Sequence, residues 1–174
     1  MPPKEPSYCA ACGHRLEPLL VDGAPTVHKY CRGCNEIAYR NPAVGVAVIL
    51  QQDGRILLGR RKRGRHAGLW CVPCGYVEWD EDIRNAAKRE VLEETGLIVE
   101  VSNVFAVHSN FHDRSRQTVG VWFRGQIVGG ALQPGDDLDR VELFSLHQLP
   151  ELAFPTDELV LSSLRLWMRR TRSS

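Results

Sequence analysis

Three carboxylates crowd one short stretch of the chain: Gly75 is followed after five residues by Glu81, and after seven more by Arg89-Glu90-Val91-Leu92-Glu93-Glu94-Thr95-Gly96-Leu97. Ile83, Ala86, Ala87 and Val91 recur at helical spacing, which predicts a helix with one buried stripe. Asp80, Glu81 and Asp82 supply the negative charge that a helix N-terminus favours, and Gly96 stands where a left-handed terminal residue is wanted. A helix from about Glu81 to Thr95 follows. On it Glu90, Glu93 and Glu94 are related as i, i+3 and i+4 and share a face. Like charges held so close repel one another, and a hard divalent cation, Mg²⁺ or Mn²⁺, relieves the repulsion. Clustered glutamates are most often a solvated face. Here the glycine, the leading Glu81, Arg89 and the terminal Gly96-Leu97 at fixed offsets argue against that meaning.

A second set of chemically capable residues lies near the start. Cys9-Ala10-Ala11-Cys12 and Cys31-Arg32-Gly33-Cys34 are two Cys-x-x-Cys pairs with eighteen residues between them, the spacing of a zinc ribbon. Four thiolates close a tetrahedral shell and leave no position for a substrate, so Zn²⁺ held by Cys9, Cys12, Cys31 and Cys34 is structural. Two disulfides are the competing reading; the rest of the chain reads as an intracellular, cytoplasmic enzyme, where thiols stay reduced. His14 and His28 lie near enough in sequence to stand in for a cysteine, though a four-cysteine shell needs neither. Cys71 and Cys74 make a third pair, which runs directly into Gly75 and reads as small buried residues.

The stretch from Gly75 to Leu97 resembles the Nudix box, with every signature position matched; the preceding position, often glycine in the family, is Cys74 here. The resemblance implies hydrolysis of a nucleoside diphosphate linked to another group, with Mg²⁺ or Mn²⁺ holding the pyrophosphate. It implies Glu90 and Glu94 as principal metal ligands and Glu93 completing the shell. Gly75 belongs to that metal-holding set because any side chain there would obstruct the backbone's approach. Arg89 is expected to pair with a carboxylate, Glu81, and hold the loop before the helix. The general base is a box glutamate, Glu93 or Glu90, or an acid from a later loop; relatives often carry Glu near the position of Asp137, and the shorter Asp weakens that second option.

Further stretches extend the likeness across nearly the whole chain: Tyr39-Arg40-Asn41-Pro42, Leu57-Leu58 with Arg60-Arg61, Gly68-Leu69-Trp70, and Leu149-Pro150 through Ala153-Phe154-Pro155 resemble Nudix hydrolases that carry an N-terminal zinc ribbon. That subgroup includes enzymes splitting FAD and ADP-ribose, often as homodimers. Its NADH pyrophosphatase relatives show a Ser-Gln-Pro-Trp-Pro-Phe-Pro array after the box that this sequence lacks, so NADH ranks lower, as does a nucleoside triphosphate. For the group beyond the phosphates, Arg61 in the run Arg60 to Arg65 and Phe111 in the loop Ser109 to Gln117 are the preferred binding residues, with His112, Arg114 and Arg116 as further candidates. Trp70 and Trp122 sit in strand patterns and read as core.

A reading of another class, a nucleotide-sensing regulator whose ribbon binds nucleic acid, finds little support. Arg15, His28, Lys29, Arg32 and Arg40 are offset by Glu5, Glu17, Asp22 and Glu36, and no box glutamate is lost. The net charge of +1 gives no global pull toward nucleic acid or membrane, and no apolar run approaches the roughly 20 residues of a membrane span.

The elements that must position these residues follow from periodicity and turn chemistry. A ribbon over 1–40 precedes a hydrolase domain over 41–174, with Asn41-Pro42 marking the boundary. Val44 to Leu50 reads as a buried strand, Asp53-Gly54 as a hairpin turn, Arg55 to Gly59 as the partner strand, and Leu69 to Val77 as extended chain. Ile98 to Val107, Thr118 to Val128 and Val141 to Ser145 add strands, and Thr156 to Arg170 a last helix opened by Thr156 or Asp157. The fold class is α/β: a mixed sheet between helices, which is the α/β/α Nudix sandwich that the resemblance implies.

Overall fold

The computed structural model describes residues 6–21, 23, 27–113 and 116–172; Glu5, Asp22 and Arg114 lie outside them. The chain divides between Pro42 and Ala43 into two compact units.

In the first unit, β1 (Glu17–Leu20), β2 (Val27–Cys31) and β3 (Glu36–Ala38) form a three-stranded antiparallel meander.

The second unit is built on a seven-stranded mixed sheet. Its long strands are β4 (Ala43–Gln52), β5 (Arg55–Arg61), β8 (Leu97–Asn110), β9 (Thr118–Gly130) and β10 (Leu138–Ser145), in the order β10-β5-β4-β9-β8. Asp53 and Gly54 both take positive φ, 50° and 74°, the turn geometry that matches the twist of a two-residue hairpin. Beyond this turn β4 and β5 pair only through Gln51–Ile56 and Gln52–Arg55, and then part. Two short strands fill the split: β6 (Trp70–Cys71) pairs with β5, and β7 (Cys74–Tyr76) pairs with β4. The expected single extended run from Leu69 to Val77 is therefore two strands. Val72 and Pro73 carry the chain across the split, and proline has no amide to offer a ladder.

Alternation along β4 decides which helix covers which face. Val46, Val48 and Leu50 pack with Ala86, Ala87 and Val91 of α1 (Ile83–Thr95). Ala47 and Ile49 pack with Val160, Leu161 and Leu164 of α2 (Pro155–Arg172). A sheet buried on both faces reads as a near-continuous apolar run, as Val44 to Leu50 does. The helix α1 begins later than the sequence suggested. Asp82 is its N-cap, extended at φ −66° and ψ 134°, and its carboxylate accepts from the amides of Arg84 and Asn85. Glu81 thus stands before the helix rather than on its first turn. At the other end Gly96 takes φ 68° and returns its amide to the Leu92 carbonyl.

Candidate functional site

Arg89 organises the carboxylates around it. Its Nε and Nη2 grip the two oxygens of Glu81 at 2.8 Å each, and Nη2 also reaches the Tyr76 carbonyl at 3.0 Å. Its Nη1 bonds Glu90 at 2.8 Å and Glu93, one turn on, at 3.1 Å. Glu81 in turn accepts the Glu78 amide at 3.1 Å, which closes the loop between β7 and α1. The Arg89 bonds hold the Glu81 carboxyl down at about 2, and the same bonds raise Arg89 further.

Glu90 and Glu94 have the opposite character. Glu94 is 2% exposed and accepts the Cys74 amide at 2.8 Å; burial pushes its carboxyl well above the usual range. Burial also raises Glu90, although Arg89 pulls it down. Gly75 lies against Glu90 so closely that a Cβ there would fall on the Glu90 carboxyl group. Glu93, one residue before Glu94, is about half exposed at 48% and bonds Arg89. The inward carboxylates are Glu94, buried, and Glu90, partly buried, with the β7 backbone beside them. Such hard donors suit Mg²⁺ or Mn²⁺, and two carboxyls whose proton affinity burial raises are what a divalent cation would discharge.

These carboxylates open into a cavity of about 300 Å³. Its floor includes Gly45 and Ala47 of β4 and Gly120 and Trp122 of β9. Arg61 reaches it, held by Asp137 at 3.3 Å and lying 5.6 Å over the Phe154 ring. Asp137 also accepts from Arg63 at 2.9 Å, and Arg60 pairs with Asp139 at 2.8 Å, so this part of the basic run is matched by the acidic segment after β9. Phe111 is not brought to the cavity: it is 69% exposed and absent from the wall, whereas its neighbours Asn110 and His112 line it. The backbone leaving β8 still alternates there, so one residue's displacement reverses the side. His112 lies 5.3 Å from Phe154, and His66 also lies 5.3 Å from it. Trp70 and Trp122 are core residues, 9% and 4% exposed.

Two residues of the wall had no sequence signal of this kind. Phe154 follows a loop motif rather than a helix or strand pattern. Asp157 reads as an opening residue of α2, yet it reaches 85 positions back to the Val72 amide at 3.1 Å, and to the Trp122 indole N–H at 3.0 Å. Burial raises its carboxyl to about 7.

In the first unit the sulfurs of Cys9, Cys12, Cys31 and Cys34 all lie within 4.8 Å of one another, with 3.8 Å between Cys9 and Cys34 and 3.4 Å between Cys12 and Cys31. None forms a disulfide. A tetrahedron with bonds of about 2.3 Å sets its sulfurs roughly 3.8 Å apart, so the cluster fits a four-thiolate ion. A tight turn returns the Gly13 amide to the Cys9 carbonyl at 2.9 Å. Backbone amides of Cys12 and Ala11 lower the Cys9 thiol to about 7, while the crowding of sulfurs raises Cys34. Cys71 is buried, its thiol directed at the Gly59 carbonyl; Cys74 faces the cavity, its thiol raised by Cys71 and by burial.

Among the described residues no helix is long and apolar enough to cross a membrane. The family model for the NUDIX domain matches residues 39–164. The ADP-ribose pyrophosphatase of Methanocaldococcus jannaschii is 37% identical over 128 residues, covering 73% of this chain and 76% of that protein. The NAD-capped RNA hydrolase NudC of Escherichia coli is 36% identical over 92 residues, which are 53% of this chain and 34% of that longer protein. The crystal structure of a NUDIX hydrolase from Nitrosomonas europaea superposes with a TM-score of 0.77 at 29% identity, over 89% of this chain and 88% of that one. With Glu90 and Glu94 lining one cavity and its match running through most of the chain, this protein belongs to the NUDIX family and is a Nudix hydrolase.

Proposed function

We propose that the protein hydrolyses the pyrophosphate bond of a nucleoside diphosphate linked to a second group, with ADP-ribose the leading substrate and FAD the next. The observation that carries this reading is the pairing of buried Glu94 with partly buried Glu90, which lies against Gly75, in a cavity that also presents Arg61. Glu90 and Glu94 would hold Mg²⁺ or Mn²⁺ beside the Gly75 backbone, with Glu93 completing the shell directly or through water. When bound, such a cation neutralises the diphosphate and lowers the pKa of attacking water. Arg89 and Glu81 fix the loop and the helix face, Glu93 or Glu90 takes the proton of the attacking water, and Arg61 exchanges Asp137 for phosphate charge. One P–O–P bond breaks, the water oxygen joins phosphorus, and AMP leaves with ribose 5-phosphate, or with FMN when FAD is cut. His112 and Phe154 flank the group beyond the phosphates.

ADP-ribose stands first because the Methanocaldococcus relative bearing that activity in its name matches over three quarters of its own length. A capped RNA or NADH ranks lower, because the array following the box in NADH pyrophosphatases is missing here. The four-cysteine cluster holds structural Zn²⁺, and its reduced thiols suit the cytoplasm.

The test is a hydrolysis panel of ADP-ribose, FAD, NADH, diadenosine polyphosphates and nucleoside triphosphates, with Mg²⁺ and with Mn²⁺, the products identified by mass. Fastest turnover on ADP-ribose supports the reading; a triphosphate cut far faster than any dinucleotide overturns the substrate assignment.

A further inference from the structure

The split between β4 and β5 leaves the segment Val72–Cys74 without a continuous ladder, and its polar groups are met from three different elements. The Pro73 carbonyl accepts the Val48 amide of β4 at 3.1 Å. The Cys74 amide donates to Glu94 of α1 at 2.8 Å. The Val72 amide donates to Asp157 of α2 at 3.1 Å. Since proline has no N–H, the Val72 amide is the last donor before Cys74.

Asp157 is 2% exposed, Val72 is fully buried, and the second Asp157 oxygen is occupied by the indole of Trp122, itself 4% exposed. A carboxylate is the small side chain that offers two acceptors to two convergent N–H donors; an isosteric amide would turn an NH₂ against one of them. A carboxyl buried to this depth costs the fold stability, and the pull of burial on it is strong enough to raise it to about 7. Ordinary packing gives no reason to keep an acid there. Its position does: Asp157 sits in the first turn of α2, anchored by its own amide to the Phe154 carbonyl at 3.0 Å, and its side chain ends three residues before Gly75.

We propose that Asp157 is a positioning residue for the cation cradle: it ties the Val72–Gly75 segment to α2 and so holds the Cys74 amide, Glu94 and the Gly75 backbone at the separation a divalent cation needs. This rests on the reading of Glu90 and Glu94 as its ligands. Outer partners of this kind set metal affinity without touching the metal.

The test uses Asp157→Asn and, because that variant leaves one N–H facing an NH₂, also Asp157→Ser. Mn²⁺ binding to the full-length protein is measured from the free-ion signal in electron paramagnetic resonance, beside thermal unfolding and turnover. The apparent dissociation constant is the intrinsic one divided by the folded fraction, so correcting it with the folded fraction from the unfolding curve separates positioning from bulk stability. The expected result is a Mn²⁺ dissociation constant raised about 10-fold in either variant, with turnover partly recovered at high Mn²⁺. In the wild type, adding Mg²⁺ should shift the Trp122 indole N–H resonance, because linkage is reciprocal. A variant that melts earlier yet binds Mn²⁺ within twofold of wild type overturns the proposal. Should both variants fail to fold, the wild-type resonance decides: an indole signal unmoved by saturating Mg²⁺ overturns it equally. Wild-type protein that binds no Mn²⁺ at all removes the cation reading itself, and this inference with it.

Discussion

Glu94→Gln should make the protein more stable and abolish its chemistry. The amide keeps the shape of the side chain and an oxygen for the Cys74 amide, now 2.8 Å away. What it loses is the charge. In the wild type the folded state holds the Glu94 proton more tightly than the unfolded chain does, because burial raises the carboxyl well above its ordinary 4.5. That carboxyl therefore supports folding below about 4.5 and loses its contribution as pH climbs through the raised value. Each displaced pKa unit is worth about 1.4 kcal/mol, and a mostly buried carboxyl with one amide bond leaves about 1–3 kcal/mol to recover in metal-free protein at pH 8. For a chain of 174 residues that is a rise in Tm of about 2–4 °C per kcal/mol. Mg²⁺ should narrow or reverse the order: a ligand at 100 times its Kd stabilises the wild type by about 2.7 kcal/mol, and the variant should gain little. Turnover should fall about 10³-fold or more. Calorimetry at pH 6 and pH 8, with and without Mg²⁺, reads the stability, and product release from ADP-ribose reads the activity. A metal-free variant less stable than wild type at pH 8, or one stabilised by Mg²⁺ as much as wild type, would refute the reasoning.

Other substitutions probe neighbouring links. Gly75→Ala should cut turnover at least about 100-fold and weaken Mn²⁺ binding, because its Cβ falls on the Glu90 carboxyl; an unchanged Mn²⁺ constant would separate Gly75 from the cradle. Glu81 should stay ionised down to about pH 2, so its pairing with Arg89 supports folding above about 4.5 and is lost as pH falls from there toward 2; Arg89→Ala should return the Glu81 titration, followed by carboxyl NMR, to the ordinary range. Metal analysis should find one Zn²⁺ per chain that is lost in Cys31→Ser and kept in Cys71→Ser, and the opposite pattern would place the ion elsewhere. His112→Ala should raise KM for ADP-ribose several-fold with kcat little changed, the mark of binding made equally in ground and transition states; Phe111→Ala should do less, and the reverse order would return the stacking role to Phe111.

What the sequence disclosed depended on the distance over which each signal acts. Helix α1 and its glutamate face are written within one run of residues, where the i, i+3, i+4 relation and a terminal glycine leave little choice. The cap was harder: three acids in a row all suit a helix start, and only backbone geometry shows that Asp82 caps while Glu81 stays outside for Arg89. The strands β8 and β9 run to Asn110 and Gly130, past the expected Val107 and Val128. Residues at their ends are polar or glycine and carry no apolar alternation, yet each is held by its partner across the ladder, as Asn110 is opposite Thr118. Phe111 and His112 show the sharpest limit, since a loop's alternation cannot be phased from composition. Asp157 shows the deepest, because nothing local to Pro155–Asp157 signals a donor 85 positions away.

The electrostatic division within the box bears on the proposed cation. Of the four box carboxylates three bond one guanidinium, which commits both ends of its fork to Glu81 while giving one nitrogen to Glu90 and Glu93. Glu94, the most buried of the four, receives a single amide and none of Arg89. Had Arg89 neutralised Glu94 instead, the inner carboxylates would be satisfied and a divalent ion would have to displace an arginine to enter. By spending Arg89 on the outer clamp, the fold leaves the deficit of positive charge at the bottom of the cavity. Arg61 fills it only in part: it is held at Asp137, although its charge also acts to lower Glu94. On the proposed reading, a cation entering there would gain two carboxylates at once, and a diphosphate following it would gain both the cation and Arg61. Removing Arg89 should therefore loosen the loop, whereas removing Glu94 should remove the reason for the ion, which is why the two variants are expected to differ in their response to Mg²⁺ and not only in activity.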